Sequence, residues 1–281
     1  MFPNLSSRAK AVTYAVLVLV LSFTVAFAMR SQGEAAAAVV MLTPTVAVVL
    51  MQLVVTRDGR TRDGWRILGL RHAGFRFWPI AIAMPVAVLA GAEAVVALTG
   101  LTGIDLSAFP NVPDLAIQLV IGGLFSLAEE IGWRGYLLPL VEQGWSGSRT
   151  LAAARVGFLH GLWHLPVALV VSGAYLTDGP RWLTVPLFLA VLTTAGVLYG
   201  WLRDQSGSVW PAAVTHTVFN VTVGIIFNVF PSDDMDTVVL VGRETGIATL
   251  GLLVLAAAFL TTRRTPAPLA AEPAPVVTAG R

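Results

Sequence analysis

The chain has 281 residues, is 56% hydrophobic and only 12% charged, and carries a formal net charge of +2. With a mean hydropathy of +0.77 it is far more apolar than a soluble domain of this length, and no long polar stretch is left to fold as a separate soluble unit. The absence of cysteine excludes a thiol nucleophile, a disulfide framework and thiolate metal sites.

Runs approaching or exceeding the ~20 apolar residues that cross a bilayer as a helix recur along the whole chain. They predict an all-α, polytopic membrane bundle of about eight transmembrane helices, at 11–29, 35–56, 77–101, 114–141, 150–172, 182–202, 209–230 and 246–262. The first run follows Arg8 and Lys10 and leads into further spans, so it reads as a transmembrane helix rather than a signal peptide. The last is short. Residues 1–264 are expected to form one transmembrane domain, and the Pro- and Ala-rich segment 265–281 a disordered cytoplasmic tail.

Charge sets the sidedness. Arg57, Arg60, Arg62, Arg66, Arg71 and Arg76 crowd the loop after the second span; Arg203 follows the sixth, and Arg263 and Arg264 the eighth. On the other side, Asp105 and Asp114 follow the third span, and Asp233, Asp234 and Asp236 follow the seventh. The positive-inside rule then places both termini in the cytoplasm. The basic loop contains GWRILGLR, whose Trp65, Ile67, Leu68 and Leu70 suggest an amphipathic segment at the cytoplasmic interface. No basic stripe with interleaved aromatics lies on a soluble face, so the reading includes no nucleic-acid partner. The partners it implies are the lipid bilayer and whatever enters the bundle.

The most informative residues are polar ones inside spans. Glu129 and Glu130, followed by Arg134, sit in IGGLFSLAEEIGWRGYLLPL. Intramembrane acids are costly and mark functional sites. His160 and His164 lie on the next span, and His216 and Asn220 on the seventh; each pair is four residues apart and so shares a helix face. Counted from the span ends, Glu129, His164, His216 and Asn220 fall roughly 10–20 Å below the cytoplasmic surface, the common depth a single site requires. Adjacent Glu129 and Glu130 diverge by about 100° on a helix. Glu130 is therefore expected to pair with Arg134, leaving Glu129 for chemistry.

A buried carboxylate can take a proton from water, an imidazole can hold that water, and a second His with an amide can donate to an oxyanion. These are the parts for hydrolysis of an amide. His160, His164 and His216 with a Glu also match the nitrogen and oxygen preferences of zinc, although no HExxH run is present. Glu93 is a further candidate for the pocket wall, while Gln52 and Gln118 read as packing groups and Trp133 and Trp163 as aromatics near the site or the interface. A different reading takes the polar cluster as glue between the helices of a membrane scaffold that cleaves nothing. A proton-coupled transporter would need paired broken helices in its two halves, and no convincing pair is present.

At these residues the chain resembles the CAAX-protease and bacteriocin-processing (CPBP, or Abi) family of intramembrane peptidases, marked by EExxxR, FxxxH and HxxxN or HxxxD on successive helices. EEIGWR supplies Glu129, Glu130 and Arg134; HGLWHLP supplies His164; HTVFN supplies His216 and Asn220. The GLR ending of the basic loop is also similar. The resemblance covers about residues 115–223. It implies that Glu129 and His164 activate water, that His216 and Asn220 stabilise the oxyanion, and that Glu130 and Arg134 support the site. It further implies a peptide or membrane-protein substrate, in some members lipidated, and for bacterial relatives a multi-pass place in the plasma membrane and a link to bacteriocin self-immunity. Members are described both as metalloproteases and as glutamate peptidases that need no metal. One position departs from the pattern: His160 stands where the family usually has Phe.

Overall fold

A computed structural model describes residues 5–171 and 178–262, and the described residues are helical with no strand among them. Helix α1 (Ser7–Ala28) starts at Ser6, whose hydroxyl accepts from the Ala9 amide at 3.2 Å. Its buried residues Ala11, Tyr14, Val18, Ser22 and Ala26 recur every three or four positions, while Val12, Val16, Val20, Phe23 and Phe27 face outward. That outward apolar face suits lipid. α2 (Glu34–Met41) and α3 (Thr43–Leu50), with Pro44 at the start of the second, continue through a π turn at Met51–Val55 as one rod.

The basic loop forms short 3-10 turns, Asp58–Arg60 and Asp63–Leu68, rather than a continuous amphipathic helix. It folds back on the bundle: the Trp65 indole donates to Gly59 O at 2.7 Å, Lys10 pairs with Asp58 at 2.5 Å, and Leu68 is buried.

α4 (Trp78–Leu98) leads to α5 (Val112–Glu130), which is capped by the Asn111 side chain on Asp114 N at 2.9 Å. The chain then passes through a seven-residue π turn, Ile131–Leu137, into α6 (Leu138–Gly144). α7 (Arg149–Val170), α8 (Arg181–Ser206) and α9 (Trp210–Val229) complete the site-bearing helices; α10 (Met235–Val241) and α11 (Ile247–Thr262) close the described chain. α7 and α8 approach at Gly157 and Gly196: a Cβ on Gly196 would stand 2.5 Å from Gly157 Cα, and one on Gly157 would stand 2.6 Å from Leu192 O. Small residues at such crossings let membrane helices pack closely.

Seven helical segments among the described residues are long and apolar enough to cross a membrane: Ser7–Ala28, Glu34–Val55, Phe75–Leu98, Val112–Gly144, Arg149–Val170, Arg181–Ser206 and Trp210–Val229. The expected eighth span is the shorter apolar helix α11. At 16 residues it is about 24 Å long, below the ~30 Å of a hydrocarbon core. The segment 265–281, expected to be disordered, lies outside the described residues, as do Arg263 and Arg264.

Candidate active site

The two acids end α5, and the π turn begins immediately after them. Such turns recur at functional sites because they redirect side chains and free backbone groups. One carbonyl in this turn, that of Arg134, accepts from Arg203 Nε at 3.1 Å; Arg203 Nη2 also donates to Ile67 O at 2.9 Å. The end of α8 thus ties the basic loop to the helix carrying the acids.

Glu129, Glu130, Arg134, His160 and His216 are all buried. Arg134 Nη1 donates to Glu130 Oε1 at 2.8 Å and to Oε2 at 3.1 Å, the pairing expected from the i,i+4 spacing. His216 Nδ1 meets the same Oε1 at 3.0 Å. Arg134 Nη1 also lies 3.3 Å from His160 Nδ1, and His160 Nε2 lies 2.8 Å from Glu129 Oε2. A guanidinium only donates, so Nδ1 of His160 accepts and its Nε2–H donates to Glu129. The network therefore runs from His216 through Glu130, Arg134 and His160 to Glu129. The two acids do diverge, one toward Arg134 and His216 and the other toward His160.

Aromatic groups hold this network in place. His160 stacks between Trp133, at 4.9 Å between ring centroids, and His164, at 5.1 Å. The Trp163 indole donates to Thr43 Oγ1 at 2.9 Å, and Ser22 Oγ donates to Trp163 O at 3.0 Å, so α1 and α3 brace α7. Arg134 lies over the Tyr199 ring at 4.8 Å, and that ring stands 5.8 Å from His216. Tyr199 and Thr43 were not singled out from the sequence, and Arg203 was read only as a marker of sidedness. The available signal was a tyrosine hydroxyl and an arginine at one end of an otherwise apolar span, whose polar groups need partners.

A cavity of about 350 Å³ opens on this cluster. Glu129, Arg134, His160, His164, His216 and Asn220 all line it, whereas Glu130 sits behind the wall and holds Arg134 and His216. Asn220 is exposed and His164 half-buried, so the cavity side of the cluster is accessible. Glu129 Oε1 is buried and has no hydrogen-bond partner. Glu93 is not part of this wall: it faces Arg243 at 3.6 Å.

One atom each from Glu129, His160 and His164 lie within 4.8 Å of one another, a group able to take a metal ion. The sequence-based set was His160, His164 and His216 with a Glu; the structure groups Glu129 with the first two, and Nδ1 of His216 is engaged by Glu130.

No curated protein matches the chain. A family match covers residues 110–222, the stretch from the cap of α5 to the middle of α9 that carries every residue of the cluster just described. Over these residues the chain is similar to the type II CAAX prenyl endopeptidase Rce1-like family, which agrees with the resemblance carried by EEIGWR, HGLWH and HTVFN.

Proposed function

We propose that the protein is an intramembrane endopeptidase of the CAAX-processing type, acting on a peptide or membrane-protein substrate, lipidated or not, near the cytoplasmic leaflet of a bacterial plasma membrane. The observation that carries this reading is Glu129 Oε1, a buried acceptor with no partner, at a cavity shared with His164, His216 and Asn220. A buried polar atom without a partner is costly, and a water held there satisfies it.

In this reading His160 fixes Oε2, and Oε1 takes a proton from a water that His164 helps to position. The water oxygen attacks the substrate carbonyl carbon. The oxyanion accepts from Asn220 Nδ2 and from His216 Nε2. With Nδ1 on Glu130, His216 donates through Nε2 when its ring is protonated, and Glu130 is then the counter-charge. The tetrahedral intermediate collapses as the C–N bond breaks, and the proton on Glu129 passes to the leaving amine. Two products result, a carboxylate and an amine, and the enzyme returns to its starting state.

The same donors suit zinc, since one carboxylate and two imidazoles lie together and Oε1 lacks a partner. Glu129, His160 and His164 would hold it, and a bound ion would supply Lewis-acid polarisation of the carbonyl or of water. Metal content of the purified protein distinguishes the two roles of Glu129, ligand or base. The function itself is tested by incubating the purified full chain in lipid nanodiscs with prenylated and unprenylated peptides ending in CAAX and weighing the products. Cleavage at a single bond is expected. Binding of these peptides with no cleavage would contradict the proposal and favour a scaffold or bacteriocin-immunity role.

A further inference from the structure

The cavity extends beyond the polar cluster. On α8 its wall runs from Tyr199, beside His216, back to Phe188; on α9 it runs from His216 on to Gly224. At 1.5 Å per residue these stretches reach about 12–16 Å along the bundle. Between their ends the wall is apolar apart from Asn220, with Val191, Ala195 and Phe219.

One more ionisable residue lines the cavity: Glu244, in the turn between α10 and α11. Its neighbour Arg243 donates to Phe230 O at 2.5 Å, just past the C-terminal end of α9. Glu244 therefore belongs to the far end of the bundle from His216, which lies near the start of α9. Among the charges that act on Glu244 are those of Arg243 and Asp178. Glu244 Oε2 is buried without a hydrogen-bond partner. Arg243 is directed elsewhere, toward Phe230 O, Glu93 at 3.6 Å and the Phe227 ring at 4.8 Å. Burial pushes the Glu244 carboxyl above the usual carboxylate range, against the opposing pull of the Arg243 charge.

An apolar slot with the hydrolytic cluster at one end and an under-partnered carboxylate at the other has a definite complement. We propose that Glu244 is a substrate-recognition residue that accepts a lysine or arginine side chain, carried on an extended apolar peptide about four residues from the bond that is cut. The spacing follows from the slot length and the ~3.3 Å rise of an extended chain. The cation brings Oε2 the charge-assisted partner it lacks. This inference rests on the peptidase reading for the position of the cut bond.

The test uses the full chain in nanodiscs and acyl-tethered apolar octapeptides in which one Lys, or its Gln or Glu counterpart, is walked along the sequence. Binding is read by fluorescence anisotropy and cleavage by product mass, on wild type, Glu244→Gln and Glu244→Lys, each with its Tm. The expected result is binding about tenfold tighter for Lys than for Gln at one position near the fourth residue from the cut. That preference should be lost in Glu244→Gln and turned toward the Glu peptide in Glu244→Lys. Equal binding of the three peptides at every position in wild type would overturn the inference without need of any variant, as would a Lys preference that survives in Glu244→Gln. Cleavage without charge preference would leave the peptidase standing and remove Glu244 from recognition. Lys-selective binding without cleavage would support Glu244 and contradict the peptidase.

Discussion

Adjacent helical residues point about 100° apart, and Glu129 and Glu130 use that divergence to serve two partners. Glu130 satisfies Arg134 and His216; Glu129 is held by His160 through one oxygen only. Arg134→Ala would leave Glu130 buried with His216 alone, and breaking one side of a buried pair costs about 3–5 kcal/mol. The purified variant should show a sharply lowered Tm in detergent, and Arg134→Lys should not restore it, because an ammonium replaces neither the shared donation nor the guanidinium face over Tyr199. His160→Phe installs the residue the family usually has and removes the bond to Glu129. If Glu129 acts as the base, the loss should be on the order of 10²-fold in kcat, the cost of a misplaced group rather than an absent one. Unchanged kcat would show that His160 does not position the acid. Glu129, Glu130, Arg134, His164, His216 and Asn220 could be picked out as candidates in the sequence because charge, imidazole and amide stand out against apolar spans. The bond from His160 to Glu129 could not, since it depends on how α7 rotates against α5.

At the scale of elements, the site is a junction of α5, α7, α8 and α9, and their crossings decide its geometry. α7 carries both His160 and His164 and meets α8 where Gly157 and Gly196 nearly touch. Gly196→Val would push the helices apart. Overpacking of this kind costs about 1–3 kcal/mol, so a lower Tm should accompany loss of cleavage although no site residue has changed. A variant with wild-type Tm and activity would mean that the crossing tolerates the added volume. The π turn after Glu130 could not be read from the sequence: Ile131–Leu137 has the composition of any apolar helix, and the turn depends on an arginine from α8 reaching the freed Arg134 carbonyl. The basic loop was expected at the interface from its charge and Trp65. Its 3-10 form depends on contacts with Gly59 and the bundle that no periodicity encodes.

For the whole molecule, hydropathy gave the helix order and most boundaries because lipid demands long apolar helices with satisfied backbones. It was least informative for α11, whose 16 residues are short for a span. Sidedness was read from arginine distribution, and if α11 also crosses, both termini are expected to face the cytoplasm. Reporter fusions at the two ends test this: both should be active only in the cytoplasm. A C-terminal reporter active on the opposite side from the N-terminal one would leave α11 outside the spans. The most direct measurement is hydrolysis of a CAAX peptide by purified wild type and Glu129→Gln, side by side in nanodiscs, with Tm and bound zinc determined on the same samples. The account predicts cleavage by wild type and a loss of at least about 10²–10⁴-fold in a variant that remains folded. Cleavage at the wild-type rate by folded Glu129→Gln would contradict it.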